Sequence, residues 1–364
     1  MISDDAQLGR FFLPGPTEVR PAVLAAMLHP MIPHRGAEFE RLFARVQTGL
    51  REVFRTSRPI FVSTSSATGL MEASIRCAPA GPILSLVNGA FSARYAQIAS
   101  ACGRDVDVLE VPWGEVPPLD AVEERLARRH YAAVTVVHSE TSTGALTDVR
   151  AVAELARRSG ALSLVDSVSG IGGAPLEAEA WGLDFVLTGS QKALALPPGL
   201  AFAAASADYM AHAATAPARG VYFDVVEFER YAAKNQTPNT PALSLLFALD
   251  AQLAAITAEG IERRWARHAA MANATAQWVH ARAERCGGTF RILAPAGSRS
   301  PTVSAIALPD DVTGPQLVAR MAERGYTIGS GYGKLRERAV RIGHMGDHTV
   351  EGVMRMLEAL GEVL

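Results

Sequence analysis

From about residue 60 to residue 205 the chain alternates short, β-rich apolar runs with longer stretches of helical spacing, and this alternation limits its fold more than any other feature. The runs Ile60–Ser63, Ile83–Val87, Val106–Val111, Ala133–His138, Leu162–Asp166, Asp184–Thr188 and Leu200–Ala204 predict strands. Gly69–Cys77, Ala93–Cys102, Leu119–Arg129 and Val149–Ser159 predict helices between them. Upstream, Leu42, Phe43, Val46, Leu50, Val53 and Phe54 recur at helical spacing and mark one buried face. Strands separated by helix-length crossovers pair in parallel, so the expected fold is α/β: a mostly parallel, doubly wound sheet with helices on both faces. Residues 213–241 interrupt the rhythm with prolines, aromatics and the polar run from Lys234 to Thr240. One long helical pattern follows from Ala242 to Cys286, and beyond Gly287-Gly288 short strands and two helices predict a smaller α+β domain.

Composition narrows the classes of function. Hydrophobic residues make up 49% and charged residues 20% of the 364, enough apolar material for a sizeable core. The net charge is −2 with Lys and Arg spread along the chain, so no basic stripe points to nucleic acid. Cys77, Cys102 and Cys286 are odd in number and lack metal-ligand spacing, which argues against a disulfide framework or a metal centre. The start, with Asp4 and Asp5, does not read as a signal peptide. The longest apolar run, Ala193–Ala207, contains Pro197, Pro198 and Gly199 and is too short and broken to span a bilayer. A soluble cytoplasmic protein without membrane or nucleic-acid partners is expected.

In a parallel α/β sheet, ligands lie beyond the carboxyl ends of the strands. The predicted strands are followed by Thr64-Ser-Ser-Ala-Thr-Gly69, by Asn88-Gly-Ala-Phe91, by Glu140-Thr-Ser-Thr-Gly144, by Asp166 itself and by Gly189-Ser-Gln-Lys192. A hydroxyl-rich anion loop, an aromatic, a carboxylate and a lysine therefore meet at one sheet edge, the set that pyridoxal phosphate needs.

Lys192 carries most of this reading, because it is the one charged residue between Asp184 and Asp208, within an Ala/Leu/Pro-rich run. Burying an unpaired ammonium is costly, and burial lowers its pKa toward the free amine that carbonyl chemistry uses. Asp166 ends an apolar strand, where a carboxylate needs a cation; a protonated pyridine nitrogen is one, and a cap for the next turn is the plainer role. The loop from Ser65 to Gly69 precedes a helix and suits a phosphate, although Ser and Thr are also ordinary helix caps. Phe91 is placed to stack on a flat ring or simply to join the core. Arg341, in Val340-Arg-Ile-Gly343, has the fork that matches a carboxylate, or forms a surface ion pair. Gly329-Ser-Gly-Tyr-Gly-Lys334 fails as a P-loop, since Ile328 and Leu335 occupy the defining positions.

These residues, together with Pro14-Gly-Pro16, His138-Ser-Glu-Thr-Ser-Thr-Gly144, Val165-Asp-Ser-Val168, Gly189-Ser-Gln-Lys-Ala193, Pro197-Pro-Gly199, Gln236-Thr-Pro-Asn-Thr-Pro241 and Arg341-Ile-Gly-His-Met-Gly346, resemble the class V aminotransferases of the alanine–glyoxylate and serine–pyruvate group, which have the type I pyridoxal-phosphate fold. The resemblance implies that Lys192 binds the cofactor as a Schiff base and Asp166 meets its pyridine nitrogen. It also implies that Ser66, Ala67, Thr68 and Gln191 hold the phosphate, Phe91 stacks on the ring, Thr141 approaches the ring hydroxyl and Arg341 binds the substrate carboxylate. Thr240 is implied to reach the phosphate from a partner subunit in a homodimer. Residues 1–20 are expected to pack with the small domain or the partner, 21–265 to form the cofactor domain and 266–364 the small domain. A small amino acid, alanine or serine-like, and a 2-oxo acid such as glyoxylate or pyruvate are the implied substrates. Arg35, Tyr222 and Tyr332 are further candidates to shape the pocket. A transaminase of phosphonate or ureido amines and a lyase on the same fold are the nearest rivals. A non-catalytic cofactor sensor lacks a DNA-binding module here, and a nicotinamide site lacks its glycine fingerprint after the first strand.

Overall fold

The computed structural model describes residues 8–283 and 289–364. Its larger sheet has seven strands, ordered across the sheet as Phe61–Ser63, Ala201–Ala205, Phe185–Gly189, Leu162–Asp166, Ala133–Val137, Ile83–Val87 and Val106–Glu110. All run parallel except Ala201–Ala205, which pairs antiparallel with both its neighbours. Successive residues of a strand point to opposite faces, and the two faces feed separate cores. Val62, Leu84, Leu86, Val134, Val136, Val165, Val186 and Phe202 pack with the helices Ala37–Phe54, Val149–Arg158 and Leu243–Glu259. Phe61, Ile83, Ala133, Leu164, Phe185, Leu187 and Ala203 pack with Ala67–Arg76, Ala90–Ala101 and Ala207–Thr215. The doubly wound sheet expected from the alternation is therefore present.

Two differences from the sequence reading have local causes. Helices expected to begin at Gly69 and Ala93 begin at Ala67 and Ala90, so Ser66 and Gly89 are the N-cap residues and Phe91 lies in a first helical turn. The single helical pattern expected from Ala242 is two helices, Leu243–Glu259 and Ile261–Ala283, bent by 83°. Gly260 makes the corner with φ +82°, a conformation that L side chains rarely adopt. The pattern's expected end at Cys286 lies outside the described residues.

The smaller sheet is ordered Phe11–Phe12, Thr327–Ser330, Ala339–Gly343, Val303–Ala307, Arg291–Ile292. Phe11–Phe12 joins it in parallel, pairing with Thr327 and Ile328, which anchors the N-terminal segment to the far end of the sequence. Gly314–Glu323, Val350–Val363 and part of Ile261–Ala283 cover this sheet through Leu317, Met321, Val353, Met356, Met271 and Trp278. No single described helix is long and apolar enough to cross a membrane. Cys77 and Cys102 are free thiols, and no cluster among the described residues suits a metal ion.

Candidate active site

The carboxyl ends of the parallel strands open onto a cavity of about 370 Å3. Ser66, Ala67 and Thr68 line it after the first strand, Phe91 after the second, and Ser139 and Thr141 after Ala133–Val137. Asp166 and Val168 follow from Leu162–Asp166, Gln191 and Lys192 from Phe185–Gly189, and Gly15 and Pro16 close one side. A cleft elsewhere, about 460 Å3, is lined by Arg128, Arg129 and Arg158. Their charges are paired with Glu124, with Asp105 and Asp107, and with Glu123 respectively, so that cleft presents no comparable chemistry.

Lys192 is held in the cavity by a tightly closed loop between two antiparallel strands. Ser190 binds across it, its N–H to Leu200 O at 3.0 Å and its Oγ to Pro197 O at 2.7 Å. Thr17 Oγ1 donates to Lys192 O at 3.0 Å, and the buried Arg264 donates from Nη2 to Ala193 O at 2.8 Å. Lys192 is only 7% exposed and its Nζ donates to Pro14 O. Burial lowers the ammonium to about 8; the Arg341 charge adds to this, while Asp166 and Glu140 oppose it. The isolated lysine of the sequence is thus a buried amine close to neutral pH.

Asp166 is 2% exposed and accepts a hydrogen bond from Val168 N–H at 2.8 Å through Oδ1. Burial lifts its carboxyl to about 7; the Val168 bond restrains the rise, Glu140 adds to it, and Lys192 and Arg94 reduce it. Among the described residues no salt bridge supplies the cation that the sequence reading required. Thr141, also buried, shares a 2.5 Å hydrogen bond with Ser169, which fixes its hydroxyl at the cavity wall.

Phe91 is positioned by a residue whose role the sequence reading missed. Glu140 is fully buried and accepts from Phe91 N–H, from Ser92 N–H at 2.9 Å and from Ser142 Oγ at 2.6 Å. Its negative charge thereby sits against the positive end of the helix Ala90–Ala101 and locks the first turn. Gly89 makes this approach feasible, because a Cβ there would collide with the Glu140 side chain. The signal was legible only as a lone acid after an apolar strand. Arg94, Met71, Ser139, Val168, Gly15 and Pro16 also line the cavity without having been singled out for this site.

Two expected site residues stand apart. Thr240 is exposed and lines a separate narrow cleft with Ser63, Tyr222 and Asn239. Arg35 and Tyr222 belong to that same region: Arg35 donates to Thr237 O and Pro238 O, and Tyr222 OH donates to Thr64 O. Arg341 lies behind the cavity on the strand Ala339–Gly343, with Nε on Ser330 O at 2.9 Å and its guanidinium 5.4 Å from the Tyr332 ring centre. Burial lowers its pKa, and it is close enough to Lys192 to depress that group's pKa in turn.

The donor set fits pyridoxal phosphate. Ser66 makes no side-chain cap bond, so the first turn of its helix is left to an outside anion. A Cβ on Gly15 would stand 2.8 Å from Lys192 Nζ, so only glycine leaves the amine room. A buried amine for an aldehyde, a buried acid for a ring nitrogen and an aromatic face share one chamber with that anion site.

Comparison with known proteins agrees with this chemistry. Residues 16–331 match the family Aminotransferase class-V. An L-aspartate–glyoxylate aminotransferase of Paracoccus denitrificans is 34% identical over 93% of this chain and 86% of its own. A serine–glyoxylate aminotransferase of Methylorubrum extorquens is 33% identical over 92% of this chain and 86% of its own. The crystal structure of an alanine–glyoxylate aminotransferase from Nostoc sp. superposes with a TM-score of 0.90 at 30% identity, covering 100% of this chain and 99% of that one. With a family match over most of its length and a cavity suited to the cofactor, the chain belongs to the class V aminotransferases and is a pyridoxal-phosphate-dependent transaminase.

Proposed function

We propose that this enzyme moves an amino group from a small amino acid, alanine or serine-like, to a 2-oxo acid such as glyoxylate or pyruvate. The observation that carries the reading is the enclosure of Lys192 and Asp166, both buried, in one cavity whose far wall is a helix N-terminus. The cofactor, when bound, supplies a conjugated cationic ring that accepts electrons from the substrate α-carbon.

Each side chain has a defined task in this reading. Lys192 would hold the cofactor through Nζ, and the same atom, when free, would take the proton from the substrate α-carbon. Its pKa of about 8 leaves free amine for both tasks near neutrality. Asp166 would hold a proton on the ring nitrogen, and that cation beside it would draw its carboxyl back to the charged form. The turn Ser66-Ala67-Thr68 and Gln191 bind the phosphate, with Thr240 of a second copy adding a hydroxyl, so the working unit is a homodimer. Phe91 would cover one ring face, Thr141 would meet the ring hydroxyl, and Arg341 would hold the substrate carboxylate. In this reading residues 21–265 make up the cofactor domain and residues 266–364 the small one, with the N-terminal segment 1–20 assigned to the small domain or to the partner. The enzyme works in the cytoplasm, away from membranes.

The test is the visible absorption spectrum of the purified protein with alanine, serine and a wider panel of amines. A yellow band that bleaches with one donor and returns with glyoxylate or pyruvate supports the reading. A band unmoved by every amino-acid donor points to another amine or to a lyase. No band after adding pyridoxal phosphate overturns the assignment of Lys192.

A further inference from the structure

The loop that carries Lys192 is held from behind by one face of a helix. Within the loop Ala195 N–H donates to Lys192 O at 2.8 Å, and Ala195 takes φ +53°, a left-handed conformation that is strained for a residue with a Cβ. Such a turn keeps its shape only when its surroundings hold it. Arg264, in the helix Ile261–Ala283, reaches the loop directly, its Nη2 donating to Ala193 O at 2.8 Å. Arg267 and His268 follow three and four residues later, on the same helix face, and reach the loop through Gly346. Arg267 donates to Gly346 O at 3.2 Å, and Gly346 N–H donates to His268 Nε2 at 3.1 Å. Gly346 packs so closely on Ala195 that an added Cβ would stand 3.0 Å from the Ala195 Cβ. His268 Nδ1 lies 2.7 Å from Arg264 O, so a neutral ring with its proton on Nδ1 satisfies both contacts.

Stability alone does not account for a charge at Arg264. The side chain is only 2% exposed, and desolvating a buried ion pair commonly costs as much as its attraction returns. Its Nη1 pairs with Glu259 at 2.8 Å and with Asp347 at 2.9 Å, while its Nε has no hydrogen-bond partner among the described residues. Asp347 is itself fixed by Arg20 at 2.7 Å and by Gln252 at 3.1 Å. Two acids therefore set the plane of the guanidinium, and its other arm holds the carbonyl of the residue next to Lys192. Resting on the reading of Lys192 above, we infer that Arg264 is a positioning residue for that lysine. With Arg267 and His268 acting through Gly346, it clamps the loop from behind while Gly15 confines the amine from the cavity side.

The experiment follows the visible absorption band of the holoenzyme as a function of pH. It also measures kcat and KM with glyoxylate and whichever of alanine and serine is turned over. Arg264→Lys keeps the charge, but a single ammonium lacks the planar fork that spans two acids and the Ala193 carbonyl. It should move the pH midpoint of the band by about half a unit or more, the effect of losing one hydrogen bond. It should also lower kcat by about 10- to 100-fold with KM changed far less. Gly346→Ala presses on Ala195 without altering any charge, so it should move the midpoint too and provides the reading if Arg264→Lys does not fold. Glu259→Gln is the control: it loosens the same buried network at a group that does not touch the loop, and its band should titrate as in wild type even where its thermal stability falls. A midpoint unchanged in both loop variants, or one moved as far by Glu259→Gln as by Arg264→Lys, overturns the inference and leaves Lys192 as the cofactor residue. A wild-type protein that gives no band with pyridoxal phosphate overturns both.

Discussion

Gly15 crosses directly over the Lys192 side chain: a Cβ on it would stand 2.7 Å from Cε and 2.8 Å from Nζ. Gly15 also has φ +104°, a backbone conformation that L side chains rarely adopt. Gly15→Ala is therefore expected to destabilise the protein by about 1–3 kcal/mol through backbone strain. By displacing the amine it should lower turnover by about 100-fold or more. Thermal unfolding and steady-state kinetics check the two effects separately, and a variant with wild-type turnover would remove Gly15 from the site.

Lys192 weakens the cofactor-free fold in a pH-dependent way. Its folded pKa is lowered from 10.5 to about 8 by burial. Between those values the unfolded chain holds a proton on this lysine that the folded chain lacks, so stability rises with pH through that window. Below about pH 8 the full burial penalty is present. Lys192→Met should then be more stable than wild type by about 3 kcal/mol at neutral pH, a gain that shrinks to nothing at high pH, while abolishing turnover. Urea unfolding of the two cofactor-free proteins at neutral pH and above pH 10.5 reads the difference. A pH-independent gap would mean that the amine is not desolvated.

Glu140→Gln tests the anchor beneath Phe91. The amide keeps the shape but loses the charge that faces several donors and a helix N-terminus. The expected loss is about 2–3 kcal/mol in stability. Cofactor affinity should fall with it, since Phe91 and Ser92 are held by this carboxylate. Denaturation and titration with pyridoxal phosphate measure both, and unchanged values would show that the hydroxyl partners suffice.

Thr240 is exposed and outside the chain's own cavity, so its proposed role requires a second copy. Thr240→Ala should raise the apparent Kd for pyridoxal phosphate by about 10-fold, the loss of one hydrogen bond to a charged group. Mixing inactive Lys192→Ala subunits with Thr240→Ala subunits should restore tight binding at one site per hybrid dimer. Sedimentation combined with cofactor titration reads this, and hybrids that bind no better than the Thr240→Ala parent would place that residue outside the site.

Much of the cofactor chamber was legible in the chain because it follows the carboxyl ends of predictable strands. Asp166, Lys192, Phe91, Thr141, Gln191 and the Ser66–Thr68 turn each sit just after an apolar run, and the parallel sheet gathers all such positions at one edge. Arg94 and Glu140 were not recognised, because one is a helix residue and the other lies inside a motif of small polar residues. Their positions are set by partners distant in sequence: Tyr332 for Arg94, and Phe91 with Ser92 for Glu140. The corner at Gly260 was missed for a similar reason, since apolar spacing continues across it while the backbone turns.

Alternation of strand and helix, the lone lysine in an apolar run and the acid at a strand end are local properties, and they suffice to determine the sheet and its reactive edge. The lowered pKa of Lys192, the Gly15 roof and the pairing of Phe11–Phe12 with Thr327 and Ile328 were decided by tertiary structure alone. Desolvation and charge–charge interaction depend on what surrounds a group in space, and those surroundings come from segments more than 100 residues apart that share no local pattern.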